Sequence, residues 1–198
     1  VIASMLAAAS WIDGLGLHPD LKFQVLQNNG FTRSFTYATR PGDEATAKLL
    51  DKAFTAVRNS GAASLLYTRH IARYHARAMS ELLPHQTGEL PHRAMFSKLR
   101  VGVEVGILPE GVVHANGDGT FGGYLIDVTN EIGRLYGVPV EYESGLGSGL
   151  RNKLNQGELD ILAVDFPGTV STVPTEITRP YLSSRGALFV MKGTRPPE

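Results

Sequence analysis

The sequence predicts an α/β domain built on a parallel sheet, and three observations predict it. From Leu99 onward, apolar strand-like runs alternate with amphipathic helical runs in the order strand, helix, strand, helix, strand. That order is the pattern of a parallel sheet with right-handed crossovers. Both helical runs end on a glycine, Gly137 and Gly157, the residue best suited to a left-handed helix terminus. Hydrophobic residues make up 42% of the 198 and charged residues 19%, which is ordinary globular composition with material for a core.

Taken in order, residues 1–3 read as the end of a strand and 4–12 as a small-residue helix stopped by Gly14 and Gly16. Residues 21–26 (LKFQVL) and 34–39 (SFTYAT) alternate and read as strands, with a turn at 28–30. Asp43 is placed to cap a helix whose Ala47, Leu50, Ala53, Phe54 and Val57 share one face. A second helix is expected over 62–83, with Leu65, Leu66, Ile71, Met79, Leu82 and Leu83 among basic residues, ended by Pro84. Its basic, amphipathic character reads as packing on its own domain with Arg and His facing water, rather than as a membrane-surface helix. Residues 84–97 carry two prolines and a glycine without periodicity and read as a linker. Strands are expected near 99–106, 138–144, 159–164 and 186–193. Between them come a hairpin turn at 114–123, a helix with Leu125, Val128, Ile132 and Leu135 on one face, and a short helix over 149–156.

Lys plus Arg and Asp plus Glu both number 19. No net field would gather nucleic acid, and no partner of that kind is expected. The absence of cysteine excludes disulfides, thiolate catalysis and Cys-ligated zinc. His70 and His75 are five apart, a spacing that turns them away from each other on a helix, and His85 and His92 fall in the linker; no metal site and no cofactor is expected. The glycine-rich NGDGTFGG lacks the lysine of a phosphate loop. The opening apolar run has no basic flank, and no run approaches the ~20 residues of a membrane span. The chain reads as a soluble segment of something longer.

Residues 99–193 resemble the first lobe of a type II periplasmic binding protein, the bacterial extracellular solute-binding family with its Venus-flytrap fold. The matching stretches are LRVGV, DGTFGGYLIDVTNEIGRLYGVPVEY, LRNKLNQGELDILAV and TRPYLSS followed by GALFVMKG. The earlier stretches VIASMLAAASWI, HPDLKFQVL and FTYATRPGDEATAKLLDKAFTAV resemble the finish of such a module. A finish followed by a start implies two flytraps in tandem, as in the sensing half of BvgS- and EvgS-type sensor histidine kinases. The implied organisation is 1–83 from a preceding module, 84–97 as linker and 98–198 as the first lobe of the next, an incomplete or permuted flytrap. The pieces of one lobe are expected to close on each other, with Phe35 and Tyr37 packing against Leu188 and Val190.

The implied function is ligand sensing without catalysis, in the periplasm, as part of a membrane-anchored receptor. Its partners would be a small-molecule solute and other flytrap lobes of the same receptor, with homodimerisation a further option. Alternatives are a transporter's solute-binding subunit, a dehydratase or transglycosylase-associated enzyme of this fold, and a degenerate lobe that binds nothing. The family's carboxylate-clamping Arg position falls here on Ser171 and its ammonium-holding Asp position on Ser4. Both charged anchors of amino-acid binding are thus replaced. In open α/β sheets ligands gather outside the carboxyl ends of the strands, here near 106–110, 143–147 and 164–171. Glu110, Asp165, Thr169 and Ser171 are therefore the candidate ligand-binding residues, with a turn-capping role as the alternative for each. Asp127 reads as a helix-start carboxylate, and Arg179 as a structural partner of Asp165 or Glu176.

Overall fold

A computed structural model describes residues 2–4, 21–25, 32–71, 80–81, 96–106, 108–109, 111–167 and 173–191. In chain order the elements are β1 (Ile2–Ser4), β2 (Leu21–Val25), β3 (Thr32–Thr39), α1 (Glu44–Asn59), α2 (Ala62–His70), β4 (Ser80–Glu81), β5 (Leu99–Val103), β6 (His114–Ala115) and β7 (Phe121–Gly122). They continue with α3 (Tyr124–Tyr136), β8 (Val140–Ser144), α4 (Gly147–Gln156), β9 (Ile161–Asp165), β10 (Glu176–Ile177) and β11 (Leu182–Met191).

The sheet is mixed. Its parallel part is β8-β5-β9, with Leu99 opposite Val140 and Val101 opposite Ile161. β3 then joins β9 antiparallel, Thr36 opposite Asp165, and β11 joins β3 antiparallel, Leu182 opposite Phe35. The far half of β11 pairs with β1 and β2, and β4 and β10 add short rungs to β11 and β3. The hairpin β6–β7 stands apart as its own two-stranded piece.

Strand alternation sorts the side chains into two cores. Leu99, Val101 and Val103 of β5, Ile161 and Ala163 of β9, and Phe35 and Tyr37 of β3 face α1, α2 and α3. On the other face Ala38, Leu159 and Leu162 pack beneath Leu150 and Leu154 of α4. Each Val, Leu, Ile or Phe side chain among them contributes roughly 1.5–3 kcal/mol when fully buried. Two of the phenols in the larger core are hydrogen-bonded: Tyr37 Oη and Thr129 Oγ1 lie 3.0 Å apart, and Tyr181 Oη donates to the Ala163 carbonyl at 2.9 Å. Asp43 caps α1 as expected, accepting from the Thr46 amide at 3.2 Å and its hydroxyl at 2.9 Å. Gly137 and Gly157 end α3 and α4 in the left-handed region, with φ of 64° and 78°.

Four expectations are corrected. Phe35 and Tyr37 do not face Leu188 and Val190. β11 meets β3 through Leu182–Arg185 and runs past its end, so Leu188 lies opposite Ile2 and Gln24 and Val190 opposite Lys22. The helix expected over 62–83 is described over Ala62–His70 and closes at Ile71, Ser80 and Glu81 pair with β11 as a strand, and 72–79 and 82–83 lie outside the described residues. Its buried stripe is Ala63, Tyr67 and Ile71, while Leu65 is 73% exposed. Ser4 is the last residue of a strand, where a helix start was expected. The last strand begins at Leu182, earlier than its apolar run. The rest of the 4–12 helix, the 28–30 turn and most of the linker lie outside the described residues, as do His75, His85 and His92.

Candidate functional site

β5 and β9 run parallel and end side by side, and α4 starts from the loop after β8 beside them. A cleft opens at this edge, lined by Glu104, Leu108, Gly147, Arg151, Asp165 and Phe166 and floored by Gly102. Its place is the carboxyl end of the parallel strands, where ligands of such sheets collect.

Asp165, the last residue of β9, is 4% exposed and is fully engaged. Oδ1 accepts from Arg151 Nη2 at 2.5 Å and from the Phe166 amide at 2.7 Å, and Oδ2 accepts from Thr175 Oγ1 at 2.9 Å. Arg151 Nη1 donates to the same Thr175 oxygen at 3.2 Å, closing a ring of three side chains. The local sequence explains the meeting. Leu150 and Leu154 dip into the sheet, so the neighbouring Arg151 turns toward the strand ends. Glu104 is the first residue past β5. Its Oε1 accepts the amide of Gly147, the first residue of α4, at 3.0 Å, which places a carboxylate on the positive end of that helix.

Of the candidate ligand residues, Asp165 lines the cleft. Glu110, Thr169 and Ser171 lie outside the described residues. The cleft adds Glu104 and Arg151, and Thr175 supports it through Asp165 and Arg151; the sequence reading singled out none of the three. Glu104 carried a signal, since it directly follows the apolar run LRVGV. Arg151 and Thr175 carried none, because they meet only through tertiary packing at the end of β9.

Arg179 is corrected. Its Nε and amide donate to the Asp51 carboxylate of α1 at 3.2 and 2.9 Å, while Asp165 already has Arg151. Asp127 sits in the first turn of α3 as expected, and it also ties α2 to α3: its Oδ2 lies 2.7 Å from His70 Nε2 and 3.7 Å from Arg69. At the opposite rim, Arg100 grips Asp160 through both guanidinium and backbone donors at 2.6–3.0 Å, joining β5 to the approach of β9.

Burial holds several phenols neutral. It pushes Tyr67 up to about 12 and raises Tyr37, Tyr124, Tyr142 and Tyr181 further. Tyr37, Tyr67, Tyr124 and Tyr181 are core, Tyr142 packs partly buried against it, and none of them lines the cleft.

Comparison with protein families and with curated proteins gives no match for this chain.

Proposed function

We propose that the chain is the solute-sensing part of a tandem Venus-flytrap receptor, held in the periplasm and coupled through the membrane to a histidine kinase. The observation that carries this reading is the position of the cleft. It lies at the carboxyl ends of β5 and β9, between Glu104 and the Arg151–Asp165 pair. The sheet order supports the same reading. β3 lies beside β9 and the start of β11 lies beside β3, so stretches that carry the resemblance, FTYAT and TRPYLSS, extend the parallel strands in the order β9-β3-β11. Such a lobe supplies one wall of a clamshell, and closure of the facing wall on a solute would shift a two-state equilibrium passed to the membrane. No covalent step is required.

Two measurements test the proposal. The flanking coding sequence is expected to encode the missing lobes, a membrane span and a kinase transmitter; a gene without a transmitter overturns the receptor assignment. A thermal-shift panel of small polar solutes on the complete tandem is expected to raise the melting temperature for at least one. At a hundred times Kd a single site adds about 2.7 kcal/mol. A panel of free amino acids that alone produced the shift would contradict the reading of Ser171 and Ser4.

A further inference from the structure

The charges in the cleft are unequal in their freedom. Arg151 has Asp165 and Thr175 as partners, at 2.5 and 3.2 Å, and its side chain is 14% exposed. Its charge is cancelled in place. The amide at the head of α4, the other natural seat for an anion, already donates to Glu104 Oε1. Among the described residues none donates to Glu104 Oε2. Among the described residues of the lining, Glu104 and Asp165 bring two negative charges and Arg151 one positive, so these sum to −1, and the others are apolar or glycine. Arg33 stacks over the Phe166 ring at 3.8 Å, but it is exposed and outside the lining, where water and salt screen it.

We infer that the cleft takes a cationic solute, an ammonium or guanidinium compound without a carboxylate, with Glu104 as the anion that meets it. This rests on the solute-cleft reading above and adds the class of ligand. A carboxylate entering the cleft would find no uncompensated cation among the described lining residues and would approach Glu104 as a like charge. A cation would supply the missing donor to Oε2 through a charge-assisted hydrogen bond. Leu108, Val164 and Phe166 would cover its alkyl part.

The test is an NMR titration of the ¹⁵N-labelled 198-residue chain with agmatine, putrescine, succinate and glycerol, read at the amides of Gly102, Gly147 and Val164. Agmatine or putrescine is expected to shift these amides saturably, and succinate is not. Glu104→Gln keeps an acceptor for the Gly147 amide and removes the charge; it is expected to weaken the cation by about tenfold. Saturable shifts with succinate or glycerol but not with the amines overturn the cation and leave the solute cleft standing. Amides unmoved by every probe overturn both. A cation that binds Glu104→Gln as tightly as the parent chain removes Glu104 from the role.

Discussion

Replacing Asp165 by alanine probes the ring that shapes the cleft. The variant removes three accepted hydrogen bonds, from Arg151 Nη2, the Phe166 amide and Thr175 Oγ1. It also leaves a guanidinium that is 14% exposed without its counter-charge. Deleting one partner of a buried ion pair costs about 3–5 kcal/mol. Arg151 retains one bond to Thr175 and some access to water, so the lower end, about 3 kcal/mol, is the expected loss. Urea unfolding followed by far-ultraviolet circular dichroism measures it, read as a change in midpoint at constant m. Arg151→Met alone and in combination completes a double-mutant cycle, and the pair should couple by more than about 1 kcal/mol. A loss below about 1 kcal/mol for Asp165→Ala, or additive single effects, would refute the ring as a structural unit.

Three further outcomes are expected. The buried phenols have folded pKa values raised above their ordinary value near 10, so their contribution is fully present below about pH 10 and is lost as pH rises toward the folded values. Unfolding by alkali should then coincide with the rise of tyrosinate absorbance, each released phenol steepening the fall by about 1.4 kcal/mol per pH unit; phenols that ionise near pH 10 with the fold intact would contradict this. Gly133→Ala should destabilise by about 1–3 kcal/mol, because a Cβ there would lie 2.5 Å from Val140 Cγ2 and 2.7 Å from the Val138 carbonyl; a melting temperature equal to the parent's would show that α3 can lift off β8. Asp43→Ala removes both bonds to Thr46 and should cost about 1 kcal/mol, whereas Asp43→Asn should restore most of it in the same urea assay.

The parallel part of the fold was legible because its signals are local. Leu125, Val128 and Ile132 recur at helical spacing and are buried, and Gly137 and Gly157 end their helices as read. The antiparallel additions were harder. That residues 34–39 would join the lobe was expected from resemblance, but alternation alone does not choose between Leu182 and Leu188 as the neighbour of Phe35. The register is set by Tyr181, whose amide donates to the Phe35 carbonyl at 3.0 Å and whose ring lies 4.7 Å from Tyr37. The expected helix to 83 followed from a basic-apolar run whose period continues past His70, although a sheet edge takes Ser80 and Glu81. In the site, Asp165 was readable as a polar residue closing an apolar strand. Its partners Arg151 and Thr175 were not, since side-chain contacts made between different elements leave no periodic trace.

β3 lies between β9 and β11, so a segment near the start of the chain is held on both edges by segments made more than a hundred residues later. A ribosome would finish residues 32–39 long before either neighbour exists, and closing so long a loop is slow. During synthesis both edges of β3 wait unpaired, although α1, made next, can already meet the aromatic face of Phe35 and Tyr37. Refolding should therefore show its slow phase at this strand, after the contiguous β5-to-β9 unit has already collapsed.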